Sequence, residues 1–223
     1  GICINLAEPK NNKNDLEKPN KTPSLNKISR KIITTDRSLY AIEEKPIKPP
    51  FWGSKILTSE EIKIEDLLFF LDKKALFSGQ WQIKKTKNQT IEEYNKYLNS
   101  YAEPLLKKWT DIILENKLIS PKAVYGYFKC GRNKNNIILF DNNSQKKISQ
   151  FNFPRQRSGN KLCIADFYCD IKDGKPIDIF PMQAVTMGQI ASEYSQKLFK
   201  DDKYRDYLLF HGLTVQLSEA LAE

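Results

Sequence analysis

The chain has 223 residues, of which 40% are hydrophobic, 11% aromatic and 28% charged; this predicts one domain, or one plus an appendage, and excludes collagen-like, coiled-coil and wholly disordered readings. Its net charge of +9 invites a nucleic-acid reading, yet 30 of the 36 basic residues are lysine, whereas arginine supplies most bidentate base contacts, so the surplus reads as a solvated surface with no specific nucleic-acid partner. The longest apolar run, residues 67–71, is far short of the roughly 20 residues that span a bilayer, and no basic segment followed by an apolar stretch opens the chain, so the expectation is a cytoplasmic protein with no membrane partner.

Residues 1–50 hold a single aromatic, Tyr40, among repeated Asn, Lys and Pro. With so little to bury, residues 1–36 read as a flexible linker. Residues 37–50 read as an extended arm, because Pro46, Pro49 and Pro50 fix φ and bias the residues before them toward extended backbone. From Phe51 onward there are 24 aromatics in 173 residues, and the folded unit starts there. Thr58-Ser59-Glu60-Glu61 fits a capping box opening a helix through Leu71. Thr90-Ile91-Glu92-Glu93 fits a second. After it, Ile91, Tyr94, Leu98, Tyr101, Leu105, Trp109, Ile112 and Ile113 fall on one stripe of a long helix that Pro104 should kink.

The middle of the chain changes period. Residues 123–128, 137–140, 162–168 and 177–185 are short β-branched and aromatic runs separated by Gly, Asn, Asp and Lys clusters, which predicts antiparallel neighbours. Thr186-Met187-Gly188-Gln189 is a third capping-box candidate, and residues 204–223 read as helix to the last position. No stop signal follows that helix and no Met stands at position 1, so the expectation is a fragment cut at both ends. The predicted fold class is α+β, a twisted antiparallel sheet flanked by helices.

Familiar catalytic signatures are absent. The glycines form neither a dinucleotide fingerprint nor a phosphate loop, and no Gly-x-Ser-x-Gly accompanies the lone His211. His211 reads as a packing or helix-surface residue. Cys3, Cys130, Cys163 and Cys169 include no Cys-x-x-Cys pair and read as buried reduced thiols, so neither a catalytic residue nor a metal ligand is predicted. Asp166 interrupts the apolar run Cys163-Ile164-Ala165-Asp166-Phe167, and a buried carboxylate there must be hydrogen-bonded or neutralised. Phe153-Pro154-Arg155-Gln156 joins a planar cation to an amide just before it, suited to an anionic ligand or a carboxylate partner.

Seven motifs then occur in order: Pro49-Pro50-Phe51-Trp52-Gly53, Leu76-Phe77-Ser78-Gly79-Gln80-Trp81, Val124-Tyr125-Gly126-Tyr127-Phe128, Phe153-Pro154-Arg155-Gln156, Leu162-Cys163-Ile164-Ala165-Asp166-Phe167, Gln183-Ala184-Val185-Thr186, and His211-Gly212-Leu213 with Glu219-Ala220-Leu221-Ala222-Glu223. Together they resemble the C-terminal activation domain of cobalamin-dependent methionine synthase in its cyanobacterial-type form, over residues 37–223. The resemblance implies a module that binds S-adenosylmethionine and caps the cobalamin of a neighbouring domain of the same chain. An electron from flavodoxin or a flavoprotein reductase then permits remethylation of the oxidised cofactor by the sulfonium methyl. Zinc, homocysteine and methyltetrahydrofolate sites would lie in other modules.

By the same resemblance, Glu219 accepts from the ligand's ammonium group; Arg155, Gln156 and Asp166, singled out above by their own chemistry, are candidates to support the site. Two departures stand out. Ile47 occupies the place of a family aspartate, and neither Glu43 nor Glu44 is assigned as its substitute. A downstream segment, an Arg followed by Gly-Tyr-Pro-Ala-Cys-Pro, is missing. The expectation is therefore an incomplete pocket, weak or no binding of S-adenosylmethionine, and no activity in isolation. The alternative is a non-catalytic docking module whose basic surface binds an acidic electron-transfer partner such as flavodoxin.

Overall fold

Ala123, Tyr125 and Tyr127 alternate with Val124, Gly126 and Phe128, and this period-two run lies in the long central strand β2 (Lys122–Asn133) of the computed structural model, which describes residues 37–38 and 46–223. The expected linker over 1–36 and residues 39–45 of the arm lie outside the described residues. The chain divides into two units, Gly1–Thr35 and Asp36–Glu223, and everything described belongs to the second.

Strand β2 is long enough to serve two neighbours on one side. Strand β1 (Gly53–Leu57) pairs with its first half, from Gly53↔Tyr127 to Leu57↔Ala123. Strand β3 (Asn136–Phe140) pairs with its second half and passes the sheet on to β4 (Lys147–Asn152). Along the other side runs β5 (Asp178–Thr186), from Lys122↔Thr186 to Cys130↔Asp178. Every strand pairing is antiparallel, as expected from the short polar links. The β2–β3 hairpin turns through Lys134 at φ 57°, and the β3–β4 turn is closed by Asp141, whose Oδ1 accepts from the Asn143 and Ser144 amides at 3.1 and 2.6 Å. Gly126 is required by the sheet itself, since a Cβ there would collide with the Gly53 carbonyl where β1 crosses β2.

The helices form the other half of the fold. They are α1 (Ile64–Phe69), α2 (Ile91–Tyr97), α3 (Glu103–Glu115), α4 (Gln189–Lys200) and α5 (Tyr204–Ala222), with π-helical turns at Ala75–Gln80 and Leu98–Ala102. Their shared core centres on Phe210, Leu213 and Leu217 of α5 against Leu76, Trp81, Trp109 and Ile113. Each such buried side chain contributes about 1.5–3 kcal/mol. The Trp81 indole donates to the Leu209 carbonyl at 2.9 Å, and α5 comes so close that a Cβ on Gly212 would lie 2.8 Å from the Gln80 Cβ. A second, smaller cluster of Cys130, Ile137, Leu139, Cys163 and Ala165 fills the far end of the sheet.

Several expectations meet corrections. The box at Thr90 is real: its hydroxyl accepts from the Glu93 amide at 3.1 Å and the Glu93 carboxylate takes the Thr90 amide at 2.8 Å. The one at Thr58 is not a helix start. Glu61 takes the Thr58 amide and hydroxyl, but its own amide goes to the Thr58 carbonyl, closing a turn, and α1 begins only at Ile64 and stops at Phe69. The third box also fails, because α4 is entered through Gly188 at φ 91°, while the Thr186 hydroxyl accepts from the Gly188 amide at 3.0 Å. The helix stripe passes Pro104 through the π turn: the Glu103 amide reaches back five residues to the Leu98 carbonyl, absorbing the missing proline donor. Residues 162–168 are not a strand. A 3-10 turn at Ile164–Phe167 buries Ala165 and Asp166 and turns Ile164 and Phe167 outward, a split that period-two alternation cannot produce.

Candidate functional site

The four candidate site residues fall in two places. Asp166, Arg155 and Gln156 belong to a structural node beside the small cluster, whereas Glu219 stands on the last turns of α5.

At the node, Asp166 is fully buried and fully satisfied. Arg155 donates to both its oxygens, at 2.5 and 2.6 Å, and the almost completely buried Arg132 lies 3.2 Å from Oδ1. The Ser38 amide completes the set at 2.8 Å. Burial pushes the Asp166 carboxyl up, but the Arg155 and Ser38 hydrogen bonds and the two guanidinium charges outweigh it and hold it below the usual carboxylate range. The partner that Arg155 suits is thus a protein carboxylate. Gln156 is exposed and closes the adjoining loop, its amide donating to the Leu162 carbonyl at 2.9 Å and its Oε1 accepting from the Leu162 amide at 3.3 Å.

Glu219 is exposed, on a helix end that is tied to the sheet. The Gln183 side-chain amide donates to the Ala222 carbonyl at 2.8 Å, and Ala222 follows Glu219 by three residues, on the same side of the helix. Gln183 is opposite Tyr125 in register, and Pro181 is opposite Tyr127, so all four share one sheet face. Phe51 sets its ring edgewise to both tyrosines, with centroids 5.5 and 5.2 Å away, and Lys55 holds its ammonium 4.3 Å over Phe51. The result is a half-exposed aromatic face beside a free carboxylate, an arrangement that favours a cationic ligand with an apolar body. Ile47, at the position of the family aspartate, is 88% exposed.

The tyrosines and Gln183 were visible in the sequence as motif members but not as site residues. The signal was there in Tyr-Gly-Tyr, which puts both rings on one face of a strand. A cleft of about 540 Å³ between α4, α5 and the end of β5 was also missed. It is lined by hydroxyls such as Ser192, Ser195 and Thr214 and by the stacked pair Tyr207 and His211, whose centroids are 5.3 Å apart. Serines and threonines three or four residues apart on two successive helices were its trace in the sequence. His211 is a surface residue of α5, as expected. Cys130, Cys163 and Cys169 are buried, as expected, and Cys3 lies outside the described residues. Among the described residues no cluster of His, Cys, Asp or Glu could hold a metal ion, and no helix is long and apolar enough to cross a membrane.

This architecture, an antiparallel five-stranded sheet flanked by helices, is shared with a solved structure described as the MetH reactivation domain bound to AdoHcy. The TM-score is 0.65 at 21% identity, covering 82% of this chain and 57% of that one, a likeness of fold. Residues 63–223 match the family model of the vitamin B12 dependent methionine synthase activation domain, and the chain belongs to that family. It is 37% identical over 198 residues to methionine synthase of Mycobacterium leprae (strain TN) and 36% identical over 198 residues to that of Mycobacterium tuberculosis (strain ATCC 25618 / H37Rv). Those alignments cover 86% of this chain and 16% of each relative.

Proposed function

We propose that the chain is the S-adenosylmethionine-binding part of a methionine synthase, with residues 37–223 as activation domain and residues 1–36 as the linker before it, and that it supports reductive remethylation of the cobalamin held by a neighbouring domain of the same polypeptide. The observation that carries this is the Glu219 carboxylate standing free at the end of an α5 fastened by Gln183 beside the Phe51, Tyr125 and Tyr127 face. S-adenosylmethionine carries an ammonium and a sulfonium, and these residues fit both charges. Glu219 accepts from the ammonium, the aromatic rings shelter the sulfonium, and Lys55 on the same face offers a cation to the ligand's carboxylate.

No pair of groups on this face forms a nucleophile and base, and none is needed: the protein's work is to bind and orient, while the cobalamin supplies the methyl-accepting metal. Glu219 would hold one end of the ligand and the rings its centre. Zinc and the homocysteine site belong to other domains in this reading. Flavodoxin or a flavoprotein reductase is the electron donor, and a groove lined by Lys74 and Lys85, with Lys73 paired to Glu103, offers cations to such an acidic surface. The reaction is cytoplasmic.

The test is an NMR titration of the 223-residue chain with S-adenosylmethionine. We expect affinity weaker than micromolar, with saturable shifts at Tyr125, Tyr127, Gln183 and Glu219 that disappear in Glu219→Gln. Shifts confined to the Ser195 and His211 cleft, or unchanged binding in Glu219→Gln, would overturn the assignment.

A further inference from the structure

The cleft between α4, α5 and the end of β5 has a chemistry of its own. Gly188, Ala191 and Ser192 bring the start of α4 to its wall. No side chain caps that helix, and the first amides of a helix lack intrahelical partners, so its positive end is open there. Ser195, one turn on from Ala191, lines the same cleft. It is only 7% exposed, and its hydroxyl has no hydrogen-bond partner among the described residues. A polar side chain that deep is normally bonded, and the cleft is where a partner can reach it.

The opposite wall is a stripe of α5. Tyr207, His211, Thr214 and Ser218 recur at steps of three and four. The Thr214 and Ser218 hydroxyls donate to the His211 and Thr214 carbonyls at 2.9 and 3.0 Å, which leaves their oxygens as acceptors. Toward the far end of α4 the Phe199 ring stands edgewise to Tyr207, with centroids 5.4 Å apart, and Tyr207 stacks on His211. Lys200 lines this cleft and no carboxylate does; Glu193 and Asp201 line a neighbouring hollow that Lys200 borders on its other side. Ser192 and Phe199 are about 10 Å apart along the helix axis. Glu219 lies about 100° around α5 from Ser218, so this stripe is not the face assigned to S-adenosylmethionine, and it offers a cation no counter-charge.

We propose that the cleft binds a phosphorylated aromatic molecule of the size of a nucleoside monophosphate, a second site beyond the one for S-adenosylmethionine. The phosphate accepts from the open amides at the start of α4 and from the Ser192 hydroxyl. The ring packs on Phe199 and Tyr207, and the hydroxylated middle of the ligand bonds to Ser195, Thr214 and Ser218. The volume of about 540 Å³ suits a molecule of that size.

The experiment is an NMR titration of the 223-residue chain with inosine monophosphate, inosine and inorganic phosphate, none of which carries the adenine or the cations of S-adenosylmethionine. With inosine monophosphate we expect saturable shifts at the amides of Ile190, Ala191, Ser192 and Ser195 and a dissociation constant of about 1 mM or tighter. Inosine and phosphate alone should each bind about fivefold more weakly or worse. Ser192→Asp adds a carboxylate to the start of α4, where it suits the helix, and should weaken inosine monophosphate about tenfold while leaving inosine unchanged. Ser195→Val should weaken both nucleoside and nucleotide by about threefold or more. The proposal is overturned by an absence of saturation below about 5 mM, by equal binding of inosine or of phosphate alone, by an unchanged affinity in Ser192→Asp, or by shifts gathered at Tyr125 and Tyr127. Neither variant touches Glu219, so this site and the S-adenosylmethionine site fail or stand separately.

Discussion

The Gln183 side chain donates to the Ala222 carbonyl at 2.8 Å, joining the exposed edge strand β5 to the last turn of the 19-residue helix α5. A helix end leaves four carbonyls without intrahelical partners, and this bond satisfies one of them from outside the helix. It is also what ties the helix end carrying Glu219 to the sheet. Gln183→Leu removes the donor with little change in shape and should cost about 0.5–1.5 kcal/mol. The larger effect should be local: faster amide exchange over 219–222 and a weaker response to S-adenosylmethionine, with the Trp109 and Phe210 core unaffected. Loss of the ligand response without local fraying would show that Gln183 acts by direct contact instead.

Asp166 is flanked by two arginines, the buried Arg132 and the partly buried Arg155, and Asp166→Asn should be severe. Arg132, left with Asp170 alone, and the partly exposed Arg155 would lose the buried carboxylate they share, at a cost of up to about 3–5 kcal/mol. Urea unfolding should show the midpoint falling with an unchanged slope. A loss below about 1 kcal/mol would mean that solvent reaches the guanidinium groups.

The same group predicts a pH dependence. Its folded pKa is depressed, so its stabilisation is present above the unfolded value of about 3.9 and is lost as pH falls through the lower folded value. Groups facing it are Arg155, Arg132 and, through the Tyr168 carbonyl, Arg37, all cationic in that range. Glu61, Glu93 and Asp141 are lowered as well, by hydrogen bonds from Thr58, Thr90 and Ser144, and act in the same direction at the surface. Stability should therefore be flat from neutral pH to about 5 and decline below about 4, with a shallower decline in Asp166→Asn.

Cys130, Cys163 and Cys169 should resist alkylation while the protein is folded. All three are buried, and burial, with Asp178 and Cys169 nearby, pushes the Cys130 thiol far above its ordinary value, so almost no thiolate is present at neutral pH. Labelling by iodoacetamide, followed by mass spectrometry at these three positions, should track the unfolding rate as urea is raised. Rapid labelling of Cys130 in native buffer would contradict the burial.

Trp81 locks α5 against the π turn, and Trp81→Phe keeps most of the ring but leaves the Leu209 carbonyl without its indole donor. That carbonyl keeps its partner within the helix, so the loss is that of one net hydrogen bond, about 0.5–1.5 kcal/mol. Thermal unfolding should show the loss. Gly212→Ala should add to it by forcing the helix off Gln80 and Trp81, and because the two sites touch, the two effects should not be independent.

Much of this protein was decided locally and could be read from residue order. The β-branched and aromatic runs at 123–128 and 137–140 specify strands, the Thr90 and Glu93 pair specifies a helix start through its own side chains, and the spacing of Leu209, Leu213 and Leu217 specifies a buried helix face. These features depend on interactions within a few residues, so composition and period determine them. Seven ordered motifs also sufficed to indicate the family, because each marks a close contact the fold cannot alter freely, such as Gly126 under β1. Other features arise only between distant parts of the chain. Asp166 sits in an apolar run that reads as a strand, and only Arg132, Arg155 and Ser38, brought in from elsewhere, explain why it turns inward. Glu219 is an ordinary helical glutamate until Gln183 ties its helix end to the sheet. Register, helix docking and charge neutralisation at these places depend on side chains dozens of positions apart, so tertiary packing had to decide them.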